Sequence, residues 1–241
     1  MEVTKNDRVG SIVAKDYRTS DVFVKYKIDF CCGGGITLEE ACRKNSLDAQ
    51  EVVDALAAKL KSAGENTDYL EMSSDELIEF ILKHHHAYVE ENIPYLRFYV
   101  EKIANVHGSR HPELLELKNI LMDALEKLEL HMKKEELMLF PYIKQIQNAI
   151  NQDESVLKPA FETVDNPIAV MNEEHDFEGE AFRKMRDLTN DFRPPEDACT
   201  TYQIAFKKLA EFEADLHKHV HLENNILFPK AQLLESQIRF N

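Results

Sequence analysis

The stretch His131-Met132-Lys133-Lys134-Glu135-Glu136-Leu137-Met138-Leu139-Phe140-Pro141 decides how this chain folds. It returns as His219-Val220-His221-Leu222-Glu223-Asn224-Asn225-Ile226-Leu227-Phe228-Pro229. Both copies follow the pattern H-x3-E-x3-L-F-P. Residues four apart share one face of a helix. Each copy therefore presents an imidazole and a carboxylate to the same side, and Leu139 and Leu227 continue that side as an inward-facing stripe. A single His-x3-Glu pair commonly serves as solvated helix support. Two copies in one frame point instead to a metal site inside a helical bundle, where paired carboxylates from facing helices recur. Imidazole with carboxylate suits iron, manganese or zinc better than soft thiolate-seeking metals.

Working outward, the repeats fall on the second and fourth of four long predicted helices. The first spans about 75–106 and is entered through the capping box Ser73-Ser74-Asp75-Glu76, with Pro94 as an expected kink. The second spans about 112–148, the third about 166–190 and the fourth about 197–236. Short connections between them predict an up-down-up-down bundle over 74–241, with no sheet. The stripe Ile78, Leu82, Val89 and Ile93 lets either His85 or His86 of the run His84-His85-His86 face inward. Phase alone does not choose. The third helix offers only His175, and Gly179 stands where a second histidine would follow it. His111, His217 and His221 read as peripheral.

Residues 1–63 form a separate small helical unit. Cys31-Cys32-Gly33-Gly34-Gly35 leads into the capping box Thr37-Leu38-Glu39-Glu40, and Cys42 lies in the helix that follows. A further helix over 48–61 is expected to stop at Gly64, ahead of a polar linker. Adjacent cysteines close a strained disulfide only with difficulty. Beside a helix N-terminus their thiols are expected to be activated. Cys42 reads as packing, and Cys199 carries no assignment.

Composition narrows the function classes. The 241 residues hold 44 acidic and 29 basic side chains, a formal net charge of −15, which repels nucleic acid and anionic membranes. No apolar run approaches the ~18 residues of a membrane span. The first residues lack the apolar stretch of an export signal, and four cysteines make no disulfide framework, so a reducing cytoplasm is expected.

With both signatures in order, the chain resembles the repair-of-iron-centres family of iron–sulfur cluster repair proteins, an all-α fold in which a small Cys-Cys domain precedes a haemerythrin-like bundle. The resemblance rests on Asp29-Phe30-Cys31-Cys32-Gly33-Gly34-Gly35, Leu38, Ala41-Cys42, His86 ahead of Ile93-Pro94, Val106-His107, both repeats, and Glu174-His175-Asp176. It implies two iron ions in an oxo- or hydroxo-bridged centre, held by His86, His107, His131, His175 and His219, with Glu135 and Glu223 bridging. It also implies a redox or iron-transfer role for Cys31 and Cys32. The implied partners are damaged iron–sulfur proteins, with nitric oxide or dioxygen as small ligands. Implied ligands fill about nine of roughly twelve positions, and a bridge would leave one open, so redox or iron-release chemistry is expected over reversible oxygen carriage. Nitric oxide reduction and gas sensing are the rival activities, and the first unit leaves room for a homodimer.

Overall fold

The computed structural model describes residues 2–62 and 67–240 of the chain. Helices α1 (Val9–Lys15), α2 (Ser20–Lys25), α3 (Leu38–Lys44) and α4 (Ala49–Lys61) come first, with a 3-10 turn at Tyr17–Thr19. Next, α5 (Ser74–Ile81) continues through a π-turn at Leu82–His86 into α6 (Ala87–His107). Then α7 (Glu113–Lys134) continues through a π-turn at Glu135–Leu139 into α8 (Phe140–Asn151). After β1 (Ser155–Val156) come α9 (Asp165–Thr189) and α10 (Thr200–Leu222), which continues through a π-turn at Glu223–Leu227 into α11 (Phe228–Gln237). The chain ends in β2 (Arg239–Phe240), which pairs parallel to β1. The four long helices are those expected from the sequence, with bounds shifted by one to three residues. The helix is continuous through Pro94. One feature departs from expectation: a two-residue strand pair exists where no sheet was predicted.

Two compact units emerge, and their boundary is not a single linker. One unit combines residues 1–78, 146–157 and 217–241; the other combines 79–145 and 158–216. The division falls inside three of the long helices. The expected stop at Gly64 lies outside the described residues.

The second unit is a closed ring of four antiparallel helices. Arg97 reaches Glu129 at 2.6 Å and Lys133 reaches Glu90 at 3.2 Å, which runs α7 against α6. Lys127 lies 3.6 Å from the centre of the Phe177 ring, placing α7 against α9. Phe182 stacks on Phe212 and Arg186 pairs with Glu213 at 2.7 Å, which sets α9 against α10. The Lys208 ammonium lies over Tyr95 and Tyr88 packs on Phe212, closing α10 onto α6. The interior is apolar, with Leu96, Val100, Leu121, Leu125 and Leu209 buried along facing stripes. Removing this surface from water is the main stabilising term. At the end of α9, Asn190 caps the helix in the left-handed region (φ 51°), and the next two residues keep a positive φ.

The first unit is built round a tight approach of two glycines. Gly10 donates its N–H to the Gly34 carbonyl at 2.8 Å, and Val9 donates to Ile36 at 3.0 Å. A Cβ on Gly34 would sit 2.5 Å from the Phe30 carbonyl and 2.9 Å from Gly10 Cα, so only glycine fits. Thr37 caps α3 through its hydroxyl, which accepts from the Glu40 N–H at 3.2 Å, and Asp48 caps α4 in the same way. The box at Ser73 is complete in both directions: Ser73 N–H donates to Glu76 at 2.8 Å, and the Glu76 N–H donates back to Ser73 at 3.2 Å.

Candidate metal centre

In the second unit, His86, His131, Glu135 and His175 are all buried. Glu135 is fully enclosed, with its Oε2 3.4 Å from His86 Nε2 and 3.4 Å from His131 Nε2. His175 Nε2 lies 3.0 Å from His131 Nε2. The ligand atoms of His131, Glu135 and His175 lie within 4.8 Å of one another.

The outer nitrogens explain how the rings are held. His86 Nδ1 meets Glu136 at 2.9 Å, and His131 Nδ1 meets Glu174 at 2.9 Å. A carboxylate on Nδ1 fixes the proton there and turns the Nε2 lone pair inward, the orientation that metal-binding histidines require. The carboxylates are anchored in turn. Lys133 holds Glu136 at 2.7 Å, and Lys134 bonds to Glu174. The His131 hydrogen bond, seconded by Lys134, brings the Glu174 carboxyl down to about 2 against the effect of burial. Burial works to raise the Glu136 carboxyl, but hydrogen bonds from Lys133 and His86 outweigh it and hold it below its ordinary value. Both outer partners therefore stay ionised at neutral pH. Two imidazole nitrogens 3.0 Å apart beside an enclosed carboxylate make a pocket of lone pairs, and a cation fits that chemistry.

Geometry sets the three adjacent histidines apart. His86 reaches Glu135, whereas His85 turns its Nδ1 to Asp215 at 3.0 Å, and His84 is exposed with its ring tilted against Phe80. His85 is nevertheless also buried. The π-turn at Leu82–His86 widens the helix by one residue, so neighbouring side chains share the interior. A regular 3.6 period cannot anticipate that.

His107 must be corrected as a ligand. It lies at the far end of α6, twenty-one residues after His86, or roughly 30 Å along a helix. There its Nε2 meets Cys199 Sγ at 3.2 Å instead. The third helix adds a residue that sequence reasoning missed. Glu178, one turn past His175, is buried, and burial pushes its carboxyl up to about 8. Its only sequence signal is the i+3 spacing from His175.

In the first unit, His219 and Glu223 are buried, with His219 Nε2 2.9 Å from Glu223 Oε1. Two residues on, Asn225 donates to the Cys31 carbonyl at 3.1 Å and contacts His221 Nδ1 at 3.3 Å. Expected to be peripheral, His221 is instead fully buried against Phe30, and burial lowers its imidazole to about 4. His217 packs edge-on to the same ring.

Cys31 and Cys32 form no disulfide, and their sulfurs lie 3.9 Å apart. The Cys31 N–H and thiol both turn to Asp29 Oδ1, at 3.0 and 3.3 Å. Asp29, Cys31 and Cys32 thereby bring three donor atoms together. The expected activation at a helix N-terminus is not found for Cys31. Helix α3 starts only at Leu38, and the Cys32 thiol, burial and the Asp29 carboxylate push the Cys31 thiol well above its ordinary value. Cys42 is buried, and desolvation raises its thiol, in keeping with packing.

Residues 5–60 match the ScdA_N domain, described as a domain of unknown function, and residues 77–231 match the hemerythrin HHE cation binding domain. The chain is 31% identical to the iron-sulfur cluster repair protein ScdA of Staphylococcus haemolyticus, over 95% of this chain and 99% of that protein. It is 34% identical to the iron-sulfur cluster repair proteins YtfE of Yersinia pestis and Yersinia pseudotuberculosis, over 94% of this chain and 97% of each. No helix among the described residues is long and apolar enough to cross a membrane. The chain belongs to the family of iron–sulfur cluster repair proteins, with a hemerythrin-type cation-binding domain behind its N-terminal cysteine segment.

Proposed function

We propose that this protein restores damaged iron–sulfur clusters by holding a pair of iron ions and releasing iron to the damaged protein. The observation that carries the reading is the pair of carboxylate-anchored imidazoles, His86 on Glu136 and His131 on Glu174, aimed at the enclosed Glu135. On the family resemblance, His86, His131, His175, His219, Glu135 and Glu223 are the residues that would supply imidazole and carboxylate donors to the irons. Support for joining the two repeats comes from the cation-binding domain, which matches 77–231 and so includes both. Without His107, four imidazoles and two bridging carboxylates fill about eight of roughly twelve positions. Bound iron would supply a redox-active, exchangeable metal. The chain itself excludes bulk water, fixes the imidazole tautomers and keeps the outer carboxylates ionised.

Asp29, Cys31 and Cys32 form a second, softer donor set suited to receive iron on its way out. Thiols must shed protons to bind metal. Because Cys31 is held protonated by its neighbours, this set is a weak resting binder that a cation must open. That suits transfer better than storage.

The test is reactivation of an enzyme whose iron–sulfur cluster has been damaged with nitric oxide, alongside iron analysis of the added protein. The natural chain should carry two irons and restore activity. Cys31→Ser with Cys32→Ser should retain iron and transfer it poorly. A chain with two irons and no power to restore the enzyme would defeat the repair reading. Zinc or manganese in place of iron would defeat the cofactor assignment.

A further inference from the structure

The contact between His107 and Cys199 lies at the end of the second unit opposite His86 and takes no part in the centre described above. Cys199 is exposed. Its carbonyl accepts the Gln203 N–H at 3.1 Å, so it sits at the start of α10. His107 is the last residue of α6 and is only 6% exposed. Its Nε2 is aimed at the sulfur from 3.2 Å, and its Nδ1 has no hydrogen-bond partner among the described residues. A buried imidazole with one nitrogen unpaired and the other directed at an exposed thiol is poorly explained as packing. Thiol and base within hydrogen-bond reach, with the base held in place, is the arrangement of an activated nucleophile.

The surroundings hold the imidazole still. The Tyr202 ring lies 5.4 Å from His107 and 5.8 Å from His111. His111 is tied to Asp197 at 3.0 Å and to Glu113 at 3.2 Å. Those carboxylates, chiefly the Asp197 hydrogen bond, raise its imidazole above the ordinary value. Arg110 adds a second cation 3.7 Å from Asp197. The charged rim is therefore paired within itself, and among the described residues the Cys199 thiol is the one hydrogen-bonding partner of His107.

We propose that Cys199 is a thiolation site that reacts with small aliphatic disulfides, with His107 as its base. His107 Nε2 takes the thiol proton as Cys199 Sγ attacks one sulfur of the disulfide. A new S–S bond forms to Cys199 as the old S–S bond breaks. The departing thiolate takes the proton from His107 and leaves as a free thiol. The exchange balances without any other oxidant: the Cys199 sulfur rises from the thiol to the disulfide level, the departing sulfur falls from the disulfide to the thiol level, and the sulfur retained on Cys199 is unchanged. No metal enters the step. The chain's net charge of −15 favours a cationic disulfide over an anionic one.

The test treats the full chain with cystamine at neutral pH, blocks remaining thiols with iodoacetamide and follows each cysteine by peptide mass spectrometry. Cys199 should form the mixed disulfide at least tenfold faster than N-acetylcysteine amide under the same conditions. In His107→Gln that advantage should vanish while circular dichroism stays unchanged. A Cys199 rate no faster than the small thiol overturns the proposal, as does a folded His107→Gln chain that reacts like the natural one. Should His107→Gln fail to fold, the rate of the natural chain against the small thiol decides alone.

Discussion

The two copies of the H-x3-E repeat share one internal frame and differ entirely in what their outer faces do. In the first copy, His131 and Glu135 point inward, and the residue six past the histidine is Leu137, 78% exposed. In the second copy, His219 and Glu223 are equally buried, but the matching residue is Asn225, which grips the Cys31 backbone and His221. Each copy is followed by the same π-turn, Glu135–Leu139 and Glu223–Leu227. The repeat therefore specifies the donors, and one position beyond them specifies whether anything else is tethered there. In the second copy that position binds the cysteine segment of the same unit, whereas in the first it faces solvent.

Removing either carboxylate tests the shared part of the frame and should have the largest effect. Glu135→Ala and Glu223→Ala should each lower iron content to less than half, measured by metal analysis of fresh protein. Unchanged content in one of them would break the equivalence of the copies.

The third helix has no copy of the repeat, and there Glu178 sharpens the contrast. Burial raises its carboxyl from 4.5 to about 8. The folded state thus binds a proton that the unfolded state releases, so its contribution is full below about pH 4.5 and is lost as pH rises toward 8. In iron-free protein, Glu178→Gln should remove that decline and stabilise the chain at pH 8 by on the order of a few kcal/mol. Denaturant melts at pH 5 and pH 8 measure it. Equal differences at both pH values would refute the raised carboxyl.

Asn225→Leu gives the second copy the outer face of the first. It should cost about 1–3 kcal/mol by leaving the Cys31 carbonyl and its neighbours without the amide, and should speed labelling of Cys31 and Cys32 while iron content holds. If iron is lost together with the tether, the two roles are not separable. The reverse change, Leu137→Asn, sits on an exposed surface and should shift stability by no more than about 0.5 kcal/mol. A larger shift would mean that the first copy also has a partner.

Much of this was legible in the sequence, because long periodic helices and a doubled motif are strong local signals. The capping boxes at Thr37 and Ser73 mark helix starts that the structure keeps within a residue. The repeat identified His131, Glu135, His219 and Glu223 as inward-facing, and burial agrees. What stayed hidden depended on non-local geometry. His85 and His86 could not be separated because the π-turn buries both. Glu136 and Glu174 look like ordinary surface acids until a ring from another helix arrives at 2.9 Å. His107 enters through the family resemblance at Val106-His107, and the length of α6 carries it to the other end of the bundle. The Cys31 thiol was expected to be activated by a helix that begins seven residues later.

The π-turns have a consequence for how such a protein could be engineered or could decay. Each is in effect a one-residue insertion, and a regular helix would be the more comfortable conformation for the same stretch. Deleting Lys83 would let the first of them close to a regular turn while the helix beyond keeps its phase. What would be lost is local: the widened turn that lets the adjacent His85 and His86 both face the interior.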